Sequence, residues 1–160
     1  MKNQQNIDAE LIYEQACAFV DCAKYTESEN ISTNKRTNSH GYVGISLSAL
    51  ACELFIKCLI IKNHGTYGLT HELNHLWNIY KNLDNTQAIS IEKYISSCFT
   101  STNINFFSDQ IEKVAKAFTQ WRYIFDYETN DNVCINPNFL RELRSVLMNI
   151  CYQQLYGTNV

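Results

Sequence analysis

The chain has 160 residues, a formal net charge of −3 at pH 7, 46% hydrophobic and 18% charged residues, one proline and five glycines. This composition is typical of one globular domain, and the acidic balance leaves nucleic acid no overall electrostatic attraction beyond a local patch. The few turn residues exclude a many-stranded sandwich or barrel, so we expect an all-α fold. A single domain should cover residues 1–160, with its core over 8–156.

The N-terminal residues are polar and lack the pattern of a secretion signal, and no run approaches the roughly 18 apolar residues of a membrane span. We therefore expect a cytoplasmic protein with no membrane partner. The seven cysteines are odd in number and include no C-x-x-C pair, which argues against a disulfide framework or a cysteine zinc site. Most should be buried, reduced thiols, and no cofactor is implied.

Helical periodicity predicts six helices in chain order. The first covers 7–25, where Leu11, Ala18 and Cys22 recur at helical spacing, and a polar loop over 26–41 follows it. The other five are expected over 42–63, from Thr70 onward, over 89–99, over 106–128, and from Asn136-Pro137 to about residue 156. Thr70 is the predicted N-cap of helix three, and the proline suits a helix start because its missing N–H costs little there.

Helices three and five have the clearest apolar faces. Spacings of three and four define both stripes. They comprise Leu73, Leu76, Trp77 and Tyr80 in helix three, and Phe107, Ile111, Val114, Phe118, Trp121 and Phe125 in helix five. Both stripes are predicted to face the core.

Helix two is apolar almost all round, which is typical of a central helix, yet it carries Glu53 and Lys57 on one stripe. Their i,i+4 order favours an ion pair. Arg122 lies beside the apolar stripe of helix five, with Asp126 one turn further on. A guanidinium there suits a carboxylate such as Glu53 across the bundle. These charges predict either a buried ion-pair network or the lining of a ligand pocket.

Three segments together resemble the HEPN family, the nucleotide-binding domain named for higher eukaryotes and prokaryotes. They are residues 48–61 (SALACELFIKCLII), 70–73 (THEL) and 117–125 (AFTQWRYIF). They look like the family's small-x-Glu-x-x-x-Lys helix, its x-His-x-Leu helix start and its Trp-Arg-Tyr helix. The resemblance covers about residues 42–128. It implies an up-and-down bundle, here of five to six helices, that commonly forms a homodimer and occurs in toxin–antitoxin, phage-defence and nucleotide-binding contexts.

Many family members are metal-independent ribonucleases that use an arginine and a histidine separated by four to six residues. This chain lacks that spacing, since Arg36 precedes His40 with only three residues between and no later arginine is followed by a histidine. The resemblance therefore favours a module that binds a nucleotide, an RNA or a cognate protein partner. Its candidate ligand-binding residues are Glu53, Lys57, His71, Arg122 and Asp126. A divergent ribonuclease, with His40 or His71 beside a sequence-distant arginine, is the alternative.

A competing motif, H-E-x-x-H, is formed by His71, Glu72 and His75. In zinc hydrolases two histidines one helical turn apart bind the metal and the glutamate activates a water. Such a site needs a third ligand, for which Glu92 is the nearest candidate. Because the motif opens a predicted helix and no strand is available to hold a peptide, a zinc hydrolase is the further alternative only.

Overall fold

A computed structural model describes residues 8–32, 37–64, 70–122 and 135–157, apart from the side chains of 28–32, 37–42 and 117–122. Over these residues the chain forms six helices and no strand, which confirms the all-α prediction. In chain order they are α1 (Ala9–Ser32), α2 (Thr37–His64), α3 (Leu73–Leu83), α4 (Asn85–Cys98), α5 (Phe106–Arg122) and α6 (Pro137–Tyr156).

The centre of the bundle is α2, which contacts α1, α3, α5 and α6. It is apolar on nearly every side, and Phe55, Ile56, Leu59 and Ile60 are almost completely inaccessible to solvent. Contrary to the sequence expectation, its segment Val43–His64 is long and apolar enough to cross a membrane. However, 72% of the apolar 18-residue stretch within that segment is buried inside the fold, as is expected for a core helix.

Aromatic side chains join α3, α5 and α6 on one side of α2. The Trp77 and Phe107 ring centroids lie 4.9 Å apart, and those of Phe107 and Phe139 lie 5.6 Å apart. All four residues of the predicted α3 face are buried, as are Phe107, Ile111 and Val114 of the α5 stripe. The α3 prediction is confirmed, and the α5 prediction is confirmed for these three residues. The side chains of Phe118 and Trp121, and the whole of Phe125, lie outside the described part.

The starts of α3 and α6 follow different rules. Pro137 opens α6 as predicted, and the Asn136 side chain caps the helix by accepting hydrogen bonds from the backbone N–H groups of Asn138 and Phe139. The prediction for α3 was wrong, because Thr70 Oγ1 accepts from the N–H of Glu72, at 3.2 Å, and the helix begins only at Leu73. The Thr70 side chain therefore stabilises a local turn, and the helix begins after that turn.

The loop expected over 26–41 is also corrected. Residues 26–32 continue α1 and residues 37–41 belong to α2, so both ends of that segment are helical. The segment contains no proline, and polar side chains lower helix propensity only slightly, so packing against α2 and α6 can decide the conformation. Glu27, near the end of α1, makes such a contact with Arg144 of α6, at 2.9 Å.

The periodic apolar residues of helix one lie on its outer face. Leu11, Ala18 and Cys22 are exposed, whereas the core is contacted through Ala16, Val20 and Ala23. Periodicity showed that the segment is helical but could not show which of two apolar faces is inside.

The expectation that most cysteines are buried holds for only half of the six described. Cys52, Cys58 and Cys151 are buried, Cys17 is half-buried, and Cys22 and Cys98 are exposed. Cys134 lies outside the described residues.

Candidate functional site: a buried ion pair beneath an exposed imidazole

The two charges of α2 form the ion pair that their spacing predicts. Lys57 Nζ donates to Glu53 Oε1 at 2.7 Å, and the two side chains are only 6% and 4% exposed. The apolar surroundings of α2 strengthen the attraction, and they also make each charge expensive without its partner. The pair is therefore held as a unit within the core.

His71 joins this pair from the segment that precedes α3. Its Nδ1 lies 2.9 Å from Glu53 Oε1 and 3.5 Å from Lys57 Nζ. A carboxylate only accepts hydrogen bonds, so we assign the ring proton to Nδ1, which donates to Glu53. The imidazole itself is 67% exposed. The His71 ring thus links the buried ion pair to the protein surface.

This geometry fixes the orientation and tautomer of His71. With its proton on Nδ1, the neutral ring presents Nε2 as an acceptor, and no described side chain hydrogen-bonds Nε2. A carboxylate that accepts from Nδ1 in this way fixes which ring nitrogen can meet a bound molecule. The group of three can therefore hold an anion through a protonated ring, or accept a proton from a bound molecule.

The structure brings together three of the five predicted ligand-binding residues, namely Glu53, Lys57 and His71. Asp126 and the Arg122 side chain lie outside the described residues, so the expected pairing of Arg122 with Glu53 stays a prediction. The same holds for any contribution of the His40 side chain.

The H-E-x-x-H motif does not form a zinc site among the described residues. His71 lies before the helix and points to Glu53, while His75 is an exposed residue of α3. The proposed third ligand, Glu92, accepts instead from Trp77 Nε1 and Lys81 Nζ, each at 2.8 Å. Within the described ranges no group of three His, Cys, Asp or Glu side chains could hold a metal ion. The two histidines differ in surroundings because the helix starts after the first one.

A second charged cluster was missed by the sequence reasoning. Arg144 of α6 binds Glu27 of α1 through both guanidinium ends, at 2.9 and 3.1 Å, and donates to Ser48 Oγ of α2 at 2.6 Å. Arg141 donates to the same Glu27 carboxylate at 3.2 Å. The available signal was an arginine in the apolar stripe of α6, between Leu140 and Leu147. Its partner could not be found, because Glu27 fell in a predicted loop.

Both described arginine side chains, Arg141 and Arg144, therefore form their ion pairs with Glu27 of α1 and not with a histidine.

No family model, curated protein or solved structure matches the chain. The resemblance to the HEPN family therefore depends on the three sequence segments alone.

Proposed function

We propose that the chain is a HEPN-like module that binds a nucleotide or a short RNA at His71. One observation supports this proposal above all: an exposed imidazole is anchored on an ion pair that is itself almost inaccessible. Apolar side chains usually stabilise a core as well as a buried charge pair does, or better. A charge pair, however, can hold a functional ring in one orientation. The proposal places the protein in the cytoplasm, as a homodimer with a cognate partner in a toxin–antitoxin or phage-defence system.

The charge arrangement fits a phosphate-bearing ligand. Lys57 balances the Glu53 carboxylate, so protonation of the ring makes the group of three positive by one unit. A phosphate oxygen can then accept from Nε2 in a charge-assisted hydrogen bond. In a chain with a net charge of −3, such a local positive group is where an anion would bind.

A comparison of the two neighbouring histidines tests the proposal. We would titrate adenosine monophosphate, adenosine triphosphate and a labelled single-stranded RNA against the wild type, His71→Ala and His75→Ala. His71→Ala should weaken binding by at least about tenfold, the loss of a hydrogen bond to a charged group. His75→Ala should bind as the wild type does, because the His75 ring is exposed and the histidine that contacts Glu53 is His71. Equal binding by all three proteins would remove His71 from any site.

The fold and oligomeric state serve as controls. Since the His71 ring is largely exposed, His71→Ala should keep the helical circular dichroism spectrum of the wild type. Sedimentation of the wild type checks the homodimer. Titration of Arg122→Ala checks the arginine that the family resemblance selects, and wild-type affinity in that variant would exclude it.

One observation favours a second function, metal-independent RNA cleavage. The Glu53–His71 contact leaves Nε2 available as a general base. It would take the 2′-hydroxyl proton while that oxygen attacks the phosphorus, and the 5′-oxygen would leave with a proton from water. Cleavage of RNA in a chelator, abolished by His71→Gln and retained by His75→Gln, is the expected result for this function. Intact RNA after incubation with the wild type would restrict the site to binding.

A further inference from the structure

A cleft of about 710 Å³ opens where α3, α4 and α5 meet. It is bounded by the end of α3, one face of α4, the connection between α4 and α5, and the first turn of α5. Neither His71 nor the Glu53–Lys57 pair lines it. Its volume lies in the range that small-molecule sites in proteins occupy.

The α4 wall of the cleft follows from helical geometry. One face of α4 is buried in the core, through Ala88, Ile91 and Ile95. The cleft face recurs at spacings of three and four and comprises Ile89, Glu92, Lys93 and Ser96. The side chains that line the cleft are therefore additional to those that stabilise the bundle.

The charged side chains of the cleft leave one cation without a partner. Glu92 is fully engaged, since Lys81 Nζ donates to both of its carboxylate oxygens and Trp77 Nε1 donates to one of them, each at 2.8 Å. Lys93 is exposed and has no hydrogen-bond or ion-pair partner among the described residues. Lys81, Glu92 and Lys93 are the charged residues of the lining, so the cleft carries one surplus positive charge in a chain of net charge −3. A site of this sign favours an anion.

The same cleft offers apolar surface. Phe107 lines it from the core side and packs on Trp77, with ring centroids 4.9 Å apart. Ile89 is half-buried, and Ile104, on the connection between α4 and α5, is 97% exposed. A ligand with an apolar body would remove the Ile104 side chain from water.

Side-chain hydrogen bonds hold the connection that forms the outer wall. Ser101 Oγ accepts from the N–H of Asn103 at 3.2 Å, and Asn103 Oδ1 accepts from the N–H of Asn105 at 2.9 Å. Asn103 Nδ2 also donates to Asp109 Oδ2 of α5 at 3.2 Å. A wall that is already ordered loses little conformational entropy when a ligand binds.

We propose that this cleft binds a small anion with an apolar body, a molecule that carries a carboxylate or phosphate group on a compact hydrocarbon frame. Lys93 Nζ donates to the anionic oxygens, and the frame packs against Ile89 and Ile104. The Ser96 hydroxyl, which also lines the cleft, can donate a further hydrogen bond. This site is separate from His71 and does not depend on the function proposed there.

The indole N–H of Trp77 reports on the cleft, because it donates to Glu92 in the lining. We would follow it by heteronuclear NMR of the full chain, in which Trp121→Phe assigns the signals of the two tryptophans. The titrants are naphthoate, naphthyl phosphate and the neutral naphthamide. At least one of the two anions should shift the Trp77 signal to saturation and bind at least about fivefold more tightly than the amide. The anion that binds more tightly identifies the preferred acidic group. A Trp77 signal unmoved by both anions up to about 10 mM, or equal affinity for the amide, overturns the proposal.

Two lysines of the same exposure give a matched comparison. Lys93→Gln should weaken the bound anion by about fivefold and leave the amide unchanged, since only the anion uses the ammonium. Lys113→Gln makes the same change of charge at an exposed lysine of α5 outside the cleft and should bind as the wild type does. Equal affinities in Lys93→Gln and Lys113→Gln overturn the proposal.

The apolar contact and the location have their own controls. Ile104→Gln should weaken the anion and the amide alike, whereas Leu11→Gln, at a 63% exposed side chain of α1, should leave both unchanged. His71→Ala should keep the wild-type affinity. If His71→Ala abolishes anion binding and Lys93→Gln does not, the anion binds at His71 and the cleft is excluded.

Discussion

At the scale of single residues, each charged side chain in the described core has a partner. Among the described side chains no buried nitrogen or oxygen lacks a hydrogen bond. Glu53 and Lys57 satisfy one another, and the Arg144 guanidinium is divided between Glu27 and Ser48. Such networks are costly to break on one side, since the remaining charge then stays buried without compensation.

The Lys57–Glu53 pair gives a direct prediction of stability. Lys57→Met removes the ammonium and leaves the Glu53 carboxylate, which is 3% exposed, without its cation. The free energy of unfolding, measured with urea, should fall by about 3–5 kcal/mol. The double variant Glu53→Gln/Lys57→Met should be more stable than Lys57→Met, because its buried groups are neutral.

A surface pair of the same spacing provides the control. Lys116 and Glu112 are also i,i+4 and 2.7 Å apart, but their side chains are 63% and 54% exposed. Lys116→Met should hardly change the urea midpoint, because solvent screens exposed pairs. If Lys57→Met were as mild as Lys116→Met, the Glu53 carboxylate would not be held as a charge in the core.

At the scale of helices, Gly44 explains how closely α1 and α2 approach. A Cβ built on Gly44 would lie 2.8 Å from Thr26 Oγ1, which donates to the backbone carbonyl of Ala23. Gly44→Ala should therefore destabilise the protein, although alanine favours a helix over glycine by about 1 kcal/mol. In a Thr26→Ala background the obstructing oxygen is absent, and Gly44→Ala should instead stabilise by up to about 1 kcal/mol. Thermal unfolding of the four proteins measures this change of sign. Stabilisation in both backgrounds would show that the helices do not meet at this glycine.

The sequence predicted the kind and order of helices better than their ends. Spacing was sufficient for α3, where Leu73, Leu76, Trp77 and Tyr80 are all buried as expected. The N-cap of α3 was predicted at Thr70 but lies two residues later, at Glu72, because Thr70 forms a local turn. The position of the start matters, since it takes His71 off the helix. A motif that depends on two histidines one helical turn apart is then broken.

Helical spacing also predicted one part of the candidate site but not the rest. Glu53 and Lys57 lie four residues apart on one helix, so their pairing follows from helical geometry. Contact with His71 could not be derived, because it depends on how a separate segment returns to α2. The contact of Glu27 with Arg144 joins residues 117 positions apart, and spacing carries no information at that range.

For the whole molecule, the central position of α2 makes it the helix on which the other features depend. It is apolar enough to pass for a membrane span, yet it is covered by α1, α3, α5 and α6. Every polar group it carries inward must therefore find a partner within α2 or on the segments packed against it. The His71 contact and the Arg144 cluster are two such solutions, at Glu53 and Ser48.

The same enclosure predicts how stability changes with pH. Burial raises the pKa of Cys52 from 9.0 to about 12, against the opposing charge of Arg144. Burial also raises the pKa of Cys151 and of the Tyr80 hydroxyl. In the unfolded chain these groups ionise at their ordinary values, so above about pH 9 unfolding releases protons. The stability that the neutral Cys52 thiol contributes is fully present below the pKa that this thiol has in the unfolded chain. It is lost as pH rises towards the higher pKa that the thiol has in the folded protein.

Urea unfolding in reducing buffer between about pH 8 and about pH 11 measures this loss. The free energy of unfolding should fall as pH rises, with each such group contributing at most about 1.4 kcal/mol per pH unit. Cys52→Ala removes one contributing thiol and should make the slope shallower, whatever its effect on stability at neutral pH. Cys22→Ala, which removes an exposed thiol, should keep the wild-type slope. Identical slopes for Cys52→Ala and the wild type would mean that the interior around α2 admits the thiolate, and hence solvent, without unfolding.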